Sequence, residues 1–200
     1  MKNTFDTIVI GAGMTGGWAA KEFTEKGFKT LLLERGRNIE HISDYPTSNL
    51  QPWELKHRGR LTAQEIKENP IASSCYAFRE DAKHFFVKDK DHPYNQIRPF
   101  DWIRGYQVGG KSIMWARQVQ RWSPYDFEGP ARDGFAVDWP IRYKDLADWY
   151  TYVERFVGVS GNKDGLDILP DGEFLKPWES NVVEEYFSQQ VKKFYKDRHV

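Results

Sequence analysis

The stretch over residues 7–36 limits what this chain can fold into more than any other. It reads TIVIGAGMTGGWAAKEFTEKGFKTLLLERG, and an apolar run over residues 8–10 leads straight into Gly11, Gly13 and Gly16 in the spacing G-x-G-x-x-G. Ala20 and Phe23 follow at helical intervals, Gly27 stops the helix, and Thr30–Leu33 is a second apolar run closed by Glu34. The order is buried strand, tight turn, helix, buried strand, which predicts an α/β fold with a parallel sheet.

Each residue type has a mechanical reason to stand where it does. Gly11 permits the tight turn, Gly13 lets a pyrophosphate approach the backbone, and Gly16 lets the helix lie close to the strand. The free N–H groups and the positive dipole end of that helix can hold two phosphates. Glu34, at the tip of the second strand, can accept hydrogen bonds from ribose hydroxyls and would repel the 2′-phosphate of an NADP-type cofactor. The pattern therefore predicts an adenine-containing dinucleotide, and by itself it does not separate FAD from NAD.

Composition narrows the partners. Two hundred residues can bury one sizeable core or two small ones, and 29 basic against 29 acidic residues give no pull toward nucleic acid or anionic lipid. No apolar run reaches the ~20 residues of a membrane span, and the first strand begins too early for a signal peptide, so the expectation is a cytoplasmic chain. Cys75 is the single cysteine, which excludes an internal disulfide and a cysteine-cluster metal site.

Beyond Gly36 the chain turns polar. Residues 37–70 carry Pro46, Pro52 and Pro70, with one helical candidate over 62–68, where Thr62 caps and Glu65 stands three residues on. Lys56, His57, Arg58 and Arg60 read as a solvated basic loop, and 88–93 (KDKDHP) reads as a turn. His84, Asp89, Asp91 and His92 fit no metal-ligand spacing. A long irregular insertion of this kind is expected to cover a site.

Residues 104–118 (RGYQVGGKSIMWARQ) are the second informative stretch. Gly109 and Gly110 follow a short predicted strand, Ser112 offers a hydroxyl, and 113–116 is apolar. Paired glycines suit close approach to a planar or anionic ligand, and they equally suit a bulge in a hairpin. Further on, Tyr143–Val157 is predicted as an amphipathic helix ended by 158–161. Residues 179–195 are predicted as a second, with Val182, Val183, Tyr186, Phe187, Val191 and Phe194 facing inward.

Taken together, the two glycine stretches and the Asp138-Trp139-Pro140-Ile141 step resemble the glucose-methanol-choline (GMC) flavin oxidoreductases. The E-x-G ending of that family's fingerprint is similar to Glu34-Arg35-Gly36, and its paired-glycine segment to 108–116. Its passage into the substrate domain is similar to Trp139-Pro140-Ile141 with Tyr143, Leu146 and Tyr150, closed by Gly158-Val159-Ser160-Gly161. Within the family, Trp115 and the G-G-K-S-I-M-W run resemble the sugar-oxidising branch: pyranose oxidases, gluconate dehydrogenase flavoproteins and glucoside 3-dehydrogenases.

The resemblance implies a Rossmann-like FAD-binding domain over 1–141, with insertion loops at 37–100, and the helical start of a substrate domain over 142–200. It implies that Gly11, Gly13, Met14, Thr15 and Gly16 hold the FAD pyrophosphate and that Glu34, with Arg35 beside it, holds the adenosine end. Gly109, Gly110, Ser112 and Met114 would lie toward the flavin. Met114 stands where pyranose oxidases attach flavin through a His, so FAD is expected to be non-covalent. The reaction implied is hydride transfer from a sugar or glycoside CH–OH group to flavin. The electron acceptor would be separate, such as a cytochrome or companion subunit.

The family's catalytic His and its partner have no counterpart here, and none of His41, His57, His84, His92 and His199 takes that role. The chain is accordingly expected to be the N-terminal portion of a longer enzyme, broken off at Arg198-His199-Val200. Two other readings compete: an NAD-dependent oxidoreductase using the same fingerprint, and a short non-catalytic nucleotide-binding module.

Overall fold

A computed structural model describes residues 4–198, so His199 and Val200 of the expected chain end lie outside the described residues. The chain divides by compactness into two units, one up to Ala116 and one from Arg117. That division falls ahead of the functional boundary expected after Ile141.

The first unit opens with strand β1 (Thr7–Ile10), helix α1 (Met14–Glu25) and strand β2 (Thr30–Leu33). The two strands pair in parallel, with Thr7 opposite Thr30 and Ile10 opposite Leu33. A parallel pair needs a crossover, and α1 is that crossover. Val9 points under α1, its side chain 3.5 Å from where a Cβ on Gly16 would lie, and is buried. The expectation of strands buried on both faces is corrected here. Side chains alternate across a strand, so Ile8 and Ile10 stand on the face away from α1 and are 58% and 85% exposed. Leu32 and Leu33 are exposed as well.

The core of this unit sits instead in the irregular insertion. Ala72, Phe78, Phe85 and Phe86 are buried together, with Ile39, Tyr45, Leu61, Ile103, Ile113 and Met114 packed against them. Phe78 and Phe86 meet edge to face with centroids 5.3 Å apart, a favoured aromatic geometry. Helix α2 (Ala63–Glu68) forms as expected: Thr62 accepts from the Glu65 N–H and the Glu65 carboxylate accepts from the Thr62 N–H, a capping box. Lys83 bridges Glu65 and Glu80, and hydrogen bonds from Lys83 and Thr62 lower the Glu65 carboxyl to about 2. The Lys88 ammonium lies 4.6 Å over the Phe78 ring and donates to the Lys83 carbonyl, and burial pushes its pKa down.

The second unit holds helices α3 (Pro124–Asp133), α4 (Tyr143–Val157) and α5 (Val182–Phe194). A buried ion pair joins Arg121 to Glu154 of α4. Arg121 Nε and Nη2 donate to the carboxylate at 2.8 and 2.6 Å, and Nη1 and Nη2 reach Tyr143 and Thr151. Burial alone would raise the Glu154 pKa. The hydrogen bonds from Arg121 and the Glu173 N–H outweigh it and hold the carboxylate below its usual range. The inward stripe expected on α5 is not observed. Val182, Val183, Tyr186, Phe187 and Phe194 are exposed, Val182 by 81%, and Val191 alone of the six is half-buried. Periodicity locates an apolar face; it does not supply what covers it.

Candidate functional site

The first glycine stretch sits between the end of β1 and α1. Gly13 is the residue before the first turn of α1. No side chain caps that end, and no acidic residue stands in the first turn. The leading N–H groups of a helix have no partner within it, so this end can receive an anion. A Cβ on Gly16 would overlap the carbonyl oxygen of Gly11, and for this reason the turn and helix can close only around glycine.

The second glycine stretch docks against the first. Arg37, just past β2, bridges Gln107 in parallel, and the Val108 N–H donates to the Arg37 carbonyl at 2.9 Å. The Gly109 N–H then donates to the Ala12 carbonyl at 2.8 Å, inside the first glycine turn. Gly109 and Gly110 have φ of 94° and 51°, and a Cβ on Gly110 would come within 3.3 Å of Gly13 Cα. Both requirements favour glycine, one for backbone angle and one for space. A tight 3-10 turn follows over Gly110–Ile113, where the Ser112 hydroxyl donates to the Gly109 carbonyl. The predicted strand before Gly109 is thus a single parallel bridge. The hairpin alternative does not occur, because the segment pairs with Arg37, past the end of β2, and not with itself.

Between the two stretches lies a cleft of about 520 Å³, bordered by Gly11, Gly13, Glu34, Arg35, Tyr106 and Gly110. Met14, Thr15 and Gly16 form the start of α1 beside it. Gly109, Ser112 and Met114 do not border the cleft themselves and belong to the turn that carries Gly110. Glu34 is held by the backbone: its carboxylate accepts from the Ala12 N–H at 2.7 Å and the Gly36 N–H at 2.9 Å. Those bonds, Ala12 first, keep its pKa below the ordinary value. A carboxylate oxygen with one donor has capacity left for a second, so ribose hydroxyls can still be received.

Sequence reasoning placed Gly36 in the fingerprint without its packing role and missed Tyr106. A Cβ on Gly36 would overlap the Tyr106 carbonyl, so Gly36 is required for the two segments to lie together. Tyr106 borders the cleft, with the Arg35 guanidinium 3.8 Å above its ring. Three of the four residues that fit no metal-ligand spacing have partners in the structure. Asp89 accepts from the Ile71 and Ala72 N–H groups, His84 contacts the Asp44 carbonyl, and His92 packs edge-on to Tyr106.

The site defines a class by its geometry: a parallel βαβ unit whose glycine turn is backed by a second glycine turn from a distant part of the chain. Among curated proteins the chain is similar to the fructose dehydrogenase large subunit of Gluconobacter japonicus, 28% identical over 180 residues, which covers 86% of this chain and 30% of that protein. It is similar to the gluconate 2-dehydrogenase flavoprotein of Pantoea cypripedii, 25% identical over 169 residues, with 78% and 26% covered. It is also similar to cholesterol oxidase of Mycobacterium tuberculosis, 26% identical over 167 residues, with 84% and 24% covered. These are flavoenzymes of the glucose-methanol-choline type, and the resemblance drawn from the glycine stretches stands. The chain spans about a quarter to a third of the length of these relatives. No protein-family profile matches it. Among the described residues, no helix is long and apolar enough to cross a membrane.

Proposed function

We propose that this chain is the cofactor-holding part of a GMC-type oxidoreductase that binds FAD and oxidises a CH–OH group of a sugar or glycoside. The observation that carries the reading is the docking of Gly109 and Gly110 on the Gly11–Gly13 turn, with the Glu34 carboxylate tied to the Ala12 N–H of that turn and bordering the same cleft. The uncapped start of α1 suits a pyrophosphate, and 520 Å³ is within the range of small-molecule sites.

In this reading residues 1–141 are the N-terminal part of a Rossmann-like FAD-binding domain and 142–200 the start of a substrate domain. Gly11, Gly13, Met14, Thr15 and Gly16 hold the pyrophosphate by backbone N–H groups. Glu34 and Arg35 meet the adenosine end, and Gly109, Gly110, Ser112 and Met114 shape the wall toward the flavin. Bound FAD supplies the hydride acceptor, and the protein supplies placement and electrostatics. Met114 offers no nitrogen for a covalent link, so the flavin is held non-covalently. No proton acceptor is assigned among the residues of this chain. The name of one relative, a large subunit, favours a companion subunit, and the route for electrons is assigned to such a subunit or to a cytochrome.

Anaerobic titration of the purified full-length protein with aldoses, ketoses and glycosides tests this. Loss of the oxidised flavin spectrum with at least one sugar is expected. A flavin spectrum that responds to simple alcohols and to no sugar would move the substrate assignment, and a colourless protein that binds NAD would overturn the cofactor.

A further inference from the structure

Tyr106 is gripped by two arginines. On one side the Arg35 guanidinium stacks 3.8 Å from the ring centroid. On the other, Arg104 Nη1 donates to the Tyr106 hydroxyl at 3.1 Å and Nη2 to the His92 carbonyl at 2.6 Å. Arg104 is 7% exposed, pairs with no carboxylate among the described residues, and has a buried Nε without a hydrogen-bond partner. A buried cation needs compensation. Here it comes from rings: Trp102, Tyr94 and Tyr106 lie 4.8, 5.1 and 5.7 Å from the guanidinium carbon. Through its bond to the hydroxyl and its place beside the ring, Arg104 contacts Tyr106 at the edge of the cleft.

Arg35 is exposed and borders the cleft. Its planar guanidinium has one face toward Tyr106 and a second face away from that ring, on a residue that borders the cleft together with Glu34. We propose that Arg35, stacked on Tyr106, is a platform on which the adenine ring of the cofactor lies, and that Arg104 is a positioning residue that holds Tyr106 in place. The proposal rests on the dinucleotide reading of the cleft and assigns its base-recognising surface. Guanidinium planes stack on aromatic faces, and an adenine ring is such a face. A lysine ammonium, as a compact point charge, does not form the same flat stack.

The test uses the full-length protein stripped of cofactor and titrated with FAD, ADP and inorganic pyrophosphate by calorimetry. Arg35→Ala and Arg35→Lys are both expected to weaken ADP and FAD by a common factor of about three to ten, while Arg35→Lys leaves pyrophosphate affinity unchanged. Tyr106→Phe, which keeps the ring and removes the acceptor for Arg104, is expected to weaken both nucleotides by a smaller factor. Arg35 is exposed, so the melting temperature of the cofactor-free variant should match the parent, and this separates a platform from a structural strut. Parent-like ADP binding by Arg35→Lys would reduce the role to charge and overturn the platform, as would unchanged ADP binding by Arg35→Ala. A parent protein that binds neither FAD nor ADP would instead overturn the dinucleotide reading itself.

Discussion

In β1 and β2 every residue has a partner across the parallel ladder, yet Ile8, Ile10, Leu32 and Leu33 are exposed. Between Arg37 and Arg104 the backbone forms only α2 and short 3-10 turns, yet Phe78, Phe85 and Phe86 are buried. Regular hydrogen bonding and burial have been separated in this unit. The βαβ element supplies geometry: an uncapped helix start and a carboxylate at a fixed place. The insertion supplies packing, and its Phe cluster holds Ile103, Ile113 and Met114, which flank the second glycine turn. The wall of the cleft therefore hangs on the irregular region.

Truncating the insertion core should have the largest effect. Phe78→Ala is expected to cost about 3–5 kcal/mol in denaturant unfolding, the usual range for a buried phenylalanine, and to weaken FAD retention with it. Intact nucleotide affinity in that variant would show that the wall stands without the core and would break the comparison. Next comes Gly16→Ala, whose added methyl must displace the Gly11 carbonyl. It should cost about 1–3 kcal/mol and weaken ADP at the same time, measured by unfolding and calorimetry on one preparation.

The third expectation concerns pH. The Glu34 carboxyl titrates lower in the folded chain than its ordinary 4.5, so its bonds to Ala12 and Gly36 add stability above pH 4.5. That contribution fades as the pH falls below 4.5 through the folded value. Glu34→Gln should flatten this acid limb in a melting-temperature profile while leaving the profile near neutrality parallel to the parent. The smallest effect belongs to Ile10→Ala. At 85% exposed, Ile10 should change the stability of the described chain by no more than ~0.5 kcal/mol. A larger loss would mean that the bare face of the sheet is covered in solution.

How far the sequence reached follows the range of the interactions. The glycine turn, α1, both strands and α2 depend on neighbours a few residues apart, and Gly11, Gly16, Thr62 and Glu65 stand at the spacing those structures require. Helix α3 passed unread although Ser123, Pro124, Asp126 and Gly134 are start and stop signals, because Gly129 and Pro130 lie within it. The bridge from Arg37 to Gln107, the stacking of Arg35 on Tyr106 and the buried pair of Arg121 and Glu154 join distant segments, and no periodicity announces them. The α5 stripe was visible as a pattern and wrong as burial, since a pattern carries no information about the partner.

The approach of Gly110 to Gly13 has a kinetic side. The β1–α1–β2 turn is local and can form early, whereas its opposite wall arrives only after the chain from 37 to 104 has collapsed and brought the second glycine turn back. Closing so long a loop is slow relative to local structure. The cleft is thus half-built for much of folding, and its completion is one of the last steps in forming this unit.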